Sequence, residues 1–133
     1  MDKRIVDKLL PSAYKAIETY KIFENGKVNN TFRGQISAFG AAVSMGSLLS
    51  AVAFFSAKGG SDVDRPKLMM AIYDIVTGKQ LNPDADDSKI ALFNLIKNKR
   101  DENSGINKEQ IINAAIAIKL AINLYPLGKG DGR

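Results

Sequence analysis

The chain has 133 residues, 45% of them hydrophobic and 25% charged, a formal charge of +5, and neither cysteine nor histidine. At this length one domain is expected, burying about two thirds of its unfolded surface. The missing residue types exclude disulfides, zinc–thiolate sites and thiol nucleophiles, and they remove the commonest general base together with the commonest metal ligand.

In chain order, Val6, Leu9, Leu10, Ala13, Ala16, Ile17 and Tyr20 recur at helical spacing, which predicts a first helix from about Asp2 to Ile22. Pro11 falls inside it, removes one backbone bond and is expected to kink it near Asp7. Glu24-Asn25-Gly26-Lys27 reads as a turn, because Asn-Gly supplies positive φ. From Gly34 to Ala57 there is then no charged residue. A segment of this length can span a bilayer, which needs about 20 helical residues. Its composition argues against that: Gln35 and five serines oppose the strong inserters Ile36, Phe39, Val43, Leu48, Leu49, Val52, Phe54 and Phe55. The expectation is two helices, from about Thr31 to Met45 and from about Leu48 to Ala57. Gly46 would end the first as a left-handed residue, and Ser47 would cap the second. Both are apolar nearly all round, so both should be buried on several sides.

Lys58-Gly59-Gly60-Ser61-Asp62 reads as a loop. Asp64 should cap the next helix, which carries Pro66 in its first turn and ends at Gly78. An acidic loop from Gln80 to Asp87 follows, then a helix from Asp87 or Ser88 to about Lys99, then a loop from Asp101 to Ile106. Asn107 caps the last helix, with Gln110 placed for the reciprocal bond, and Pro126 stops that helix after Tyr125. The last helix is so apolar that it should be the central member of the bundle, with Lys119 snorkelling to the surface. No stretch alternates with period two, so no sheet is expected. The fold class read from the sequence is all-α: a compact bundle of about six helices over residues 1–127 with a disordered tail at 128–133.

Chemistry is sparse. The stretch Asp101 to Asn107 resembles a calcium loop, but Ile106 and Ile112 stand where glycine and a bidentate glutamate are required. Lys58-Gly59-Gly60 and Gly128-Lys129-Gly130 lack phosphate-loop spacing. A serine nucleophile needs a base, and nothing marks one. No catalytic residue, metal site or cofactor is expected, and no small-molecule substrate. The basic side chains gather in residues 1–33, with seven cations against four acids, and at Lys89, Lys97, Lys99 and Arg100. Such an excess suits a polyanion bound through its phosphates with little sequence preference. Asp2, Lys3, Arg4, Asp7 and Lys8 interrupt any signal-peptide-like run, so a cytoplasmic setting without a membrane is expected.

The run from Arg33 to Ser56 resembles the small all-helical subunit of the type III-B (Cmr) CRISPR–Cas effector complex. The likeness lies in Arg33 opening a helix, the small and apolar run Ile36 to Met45, the junction Gly46-Ser47-Leu48-Leu49, and the ending Ala51-Val52-Ala53-Phe54-Phe55. Leu10-Pro11-Ser12-Ala13-Tyr14 and Lys119 are similar to the family's opening and closing helices. The resemblance implies a non-catalytic role in antiviral defence. Several copies would line up beside the guide RNA and its target RNA, touching the large subunit at one end. Arg33, Lys58, Lys21 and Lys27, which flank the uncharged hairpin, are the expected phosphate contacts. The alternatives from the residues alone are a small membrane-associated helical hairpin and a homo-oligomeric helical scaffold.

Overall fold

A computed structural model describes residues 2–98 and 106–128. Among them are six α-helices: α1 (Lys3–Thr19), α2 (Asn30–Met45), α3 (Leu48–Phe55), α4 (Pro66–Thr77), α5 (Ala91–Asn98) and α6 (Lys108–Ile122), with a 3₁₀ turn over Asp86–Ile90. The Asp101 loop, Lys99, Arg100 and residues 129–133 lie outside the described residues.

The expectation of a sheet-free bundle is corrected. Three short strands, β1 (Phe23–Glu24), β2 (Lys27–Asn29) and β3 (Leu127–Gly128), form one mixed sheet in the order β1-β2-β3. The first two are antiparallel, pairing Phe23 with Val28 and Glu24 with Lys27. Asn25 and Gly26 turn the hairpin with φ of 56° and 81°, the left-handed pair that two-residue hairpins require. β3 runs parallel to β2, pairing Val28 with Leu127, and the Val28 N–H donates to the Pro126 carbonyl at 2.8 Å. Pro126 therefore does more than stop a helix: its carbonyl brings the chain end onto the hairpin. Gly128 belongs to this strand rather than to a tail. Tyr125 fixes the junction, its ring 4.7 Å from Phe23 and 5.2 Å from Tyr14, with its hydroxyl donating to Glu18 Oε2 at 3.1 Å. Strands of two or three residues are too short to show an alternating pattern, which is why the sequence conceals them.

The helix α6 is central, packed against α1, α2 and α4. Ala114, Ala117, Ile118, Ala121 and Ile122 have no exposed surface, and the alanines let neighbouring backbones approach closely. Asn107 accepts from the Gln110 N–H at 2.9 Å while Gln110 Oε1 accepts from the Asn107 N–H at 2.9 Å, the reciprocal cap the sequence implied. Asn107→Ala is expected to cost about 1 kcal/mol, read as a lower urea midpoint at unchanged slope. The helix ends three residues earlier than its apolar run suggests, at Ile122. In α1, Asp2 caps the first turn and Pro11 is accommodated without ending the helix. Pro11 is exposed, so the carbonyl it leaves unbonded can face water.

Two local expectations change. Gly46 closes α2 with φ −137°, outside the left-handed region; a side chain there would stand 3.1 Å from the Ala42 carbonyl oxygen. Ser47 caps α3 as expected, accepting from the Ser50 N–H at 3.2 Å. At α4 the residue before Pro66 is Arg65, and no side chain caps the helix.

The uncharged segment is not buried on all sides. Phe39, Val43 and Val52 have no exposed surface, yet Met45 is 84% and Phe54 61% exposed. Gly34, Ala38, Ala41 and Ser44 make up the outer face of α2. No described helix is long and apolar enough to cross a membrane.

Candidate functional site

All four cations singled out from the sequence are exposed, and none forms an ion pair among the described residues. The fold divides them into two groups. Lys27, on β2, and Lys58, just after α3, line one depression of about 360 Å³ floored by Ile22, Phe32 and Val63. Lys67 of α4 lines it too, with its ammonium 3.9 Å from Glu24 Oε1 and donating to the Lys21 carbonyl at 3.2 Å. Lys21 thus sits on the margin of the same depression. The Thr31 hydroxyl donates to Asp62 Oδ2 at 3.2 Å, which ties the Lys58 loop to the start of α2.

The depression is not purely basic. Glu24, Asp62 and Asp64 also line it, so its three ammonium groups face three carboxylates and it carries no formal net charge. These acids do not converge with one another on a cation site among the described residues. An anion entering here would meet Lys27 and Lys58 from two separate segments, with its approach opposed by neighbouring acids.

Lys21 is held in an unusual way. Its φ is 58°. It follows the C-cap Tyr20, and the paired bonds Ile22 N–H to the Ile17 carbonyl at 2.9 Å and Lys21 N–H to the Glu18 carbonyl at 3.2 Å close α1. This closure ordinarily places glycine at the left-handed position. A lysine there costs about 1 kcal/mol or more in backbone energy.

Arg33 belongs elsewhere. It lies one turn before Ser37 on α2, and Ser37 lines a separate groove between α2 and α6. That groove has Lys119 on its lining as well. Lys119 is half-buried, the snorkelling position expected from the apolar run around it.

Sequence reasoning missed Lys67 and Arg65. Arg65 is only 6% exposed. Its Nε and Nη2 donate to the Ala57 carbonyl at 3.0 and 2.8 Å, and Nη2 reaches the Phe54 carbonyl at 3.3 Å. Its guanidinium also stands 4.5 Å from the Phe54 ring centre and 5.2 Å from that of Phe55. It thereby serves the open carbonyls at the end of α3 and fixes the loop that carries Lys58. No sequence signal marks this, because its partners lie eight and eleven positions away, at and just beyond the end of α3.

Compared with known proteins, the chain matches no family model, no curated protein and no solved structure.

Proposed function

We propose that this chain is a non-catalytic structural subunit of a type III-B (Cmr) CRISPR–Cas effector complex, lying beside the guide RNA–target RNA duplex and contacting its phosphates. Its partners under this reading are the other Cmr subunits, the large one included, further copies of itself, and the two RNAs; the setting is the cytoplasm. The reading rests on the resemblance in the segment from Arg33 to Ser56. The observation that carries the RNA contact is the grouping of Lys21 and Lys27, which flank the start of the β1–β2 hairpin, with Lys58 of the α3–α4 loop around one side of the fold. Lys21 adds weight, since a cation stands where the backbone favours glycine.

The interleaved carboxylates predict weak RNA binding by the isolated chain, so the contact should be measured in the assembled complex. Arg33→Ala and Lys58→Ala are each expected to lower the slope of log K against log salt by about 0.7–0.9. Lys21→Gly removes a further charge without straining α1, and should lower the slope by a similar amount while the fold gains stability. Unchanged slopes in all three would refute the phosphate contacts. Purification from the native host tests the assembly itself: guide RNA and the other Cmr subunits are expected to accompany the chain, and their absence overturns it.

A further inference from the structure

Between α2 and α6 runs an open groove of about 210 Å³. Its walls are Ser37, Gly40, Ala41 and Ser44 on α2 and Ile112 and Ile116 on α6. The α2 wall is low because these side chains are small, so a third helix could approach the pair closely. From Ser37 to Ser44 the groove is about 10 Å long, at 1.5 Å per helical residue. Its floor carries no charge, but its ends do. Lys108 Nζ donates to the Ser44 carbonyl at 3.5 Å and marks one end. Because α6 begins beside the end of α2, the two helices run antiparallel, and Lys119 marks the other end, toward Arg33. Met45, 84% exposed, extends the apolar surface past Ser44.

We propose that this groove receives one α-helix of a partner protein, apolar along about two turns and carrying an acidic residue at each end. Charge complementarity selects this occupant. The apolar turns meet the small-residue floor and Met45; the acids meet Lys108 at one end and Lys119 at the other. A second copy of this chain fits less well, because α2, whose one charged residue is Arg33, brings no acid to those lysines. The proposal does not rest on the RNA reading.

The test uses the whole chain, labelled with ¹⁵N, and a synthetic helical peptide with leucines at i, i+3, i+4 and i+7 flanked by glutamates. Addition of the peptide is expected to shift the amide resonances of Ser37, Ala41, Ile112 and Ile116. The same peptide with lysine flanks should bind about tenfold more weakly at low salt. Ala41→Gln puts a neutral, helix-compatible side chain into the groove and should abolish the shifts while leaving the circular dichroism spectrum and urea midpoint unchanged. Equal binding of the two peptides would overturn the charge complementarity. Shifts that map elsewhere, or none, would overturn the site. Concentration-dependent broadening of the α2 resonances without peptide would make a second copy the occupant and overturn the partner helix. RNA salt slopes that stay intact in Ala41→Gln keep failure here distinct from failure of the RNA contacts.

Discussion

Arg65→Ala is expected to lower the free energy of unfolding by about 2–3 kcal/mol, the largest effect of any single polar substitution considered. The side chain has three carbonyl contacts at the end of α3 and lies against Phe54 and Phe55. Its loss removes a charged donor, leaves the Phe54 and Ala57 carbonyls to find water, and opens a gap at a residue that is 6% exposed. Arg65→Lys should recover less than half, since one compact ammonium cannot reproduce the planar fork that spans two carbonyls. Gly59 sharpens the test. It has φ +58°, and a Cβ there would lie 2.7 Å from Arg65 Nη2. Gly59→Ala therefore carries two penalties, about 1 kcal/mol for the backbone and a further one for displacing the guanidinium. In the Arg65→Ala background only the first should remain, so the two substitutions should be non-additive in urea denaturation. Full additivity would show that Arg65 does not occupy this position in solution.

Tyr20→Phe should cost about 2 kcal/mol, and it should also change how stability depends on pH. The Tyr20 hydroxyl is buried, donates to Asp74 Oδ2 at 3.1 Å and accepts from the Leu81 N–H at 2.8 Å, so it ties α1 to α4 and to the acidic loop. Removing it strands both partners. Burial, reinforced by the Asp74 carboxylate against the opposing pull of the Leu81 N–H, pushes the Tyr20 phenol up from 10.0 to about 12. The folded state thus keeps its proton where the unfolded state has lost it. The resulting stability is fully present below pH 10 and falls as pH rises from 10 toward about 12, by an amount on the order of 2 kcal/mol. Tyr125 is pushed the same way, by burial first and then by its bond to Glu18, and should add to the alkaline loss. Urea midpoints at pH 8 and pH 11 separate the two contributions: Tyr20→Phe should be destabilised at pH 8 and should lose less than the native chain between the two values. A native chain whose midpoint is flat across this range would contradict the buried phenol.

Much of the helical framework was legible, because helices announce themselves over many residues. The apolar spacing from Val6 to Tyr20, the Gly46-Ser47 junction, Pro66 at a first turn, Gly78 at an end and the Asn107–Gln110 cap are local chemistry and stand where they were expected, although α1 ends at Thr19, three residues before the expected Ile22. The sheet was not legible, since Val28 meets Leu127 only after the whole bundle has closed. The candidate site was legible in part. The four cations could be named from their charge, but not grouped. Lys27 and Lys58 meet only because the hairpin and the α3–α4 loop fold to one side, and the same folding brings Glu24, Asp62 and Asp64 among them.

The uncharged stretch from Gly34 to Ala57 shows the division most clearly. Composition alone determined that it would form two helices broken at Gly46, because serines and glycines weaken membrane insertion and a glycine–serine pair ends one helix and caps the next. Burial was not determined by composition, because an apolar helix can turn any face inward. Tertiary packing directed Phe39, Val43 and Val52 into the core and left Met45, Phe54 and the small residues of α2 facing out. The physical reason is that α6 and α3 pack against one side of α2 while no described element covers the other, so half of a charge-free segment became surface.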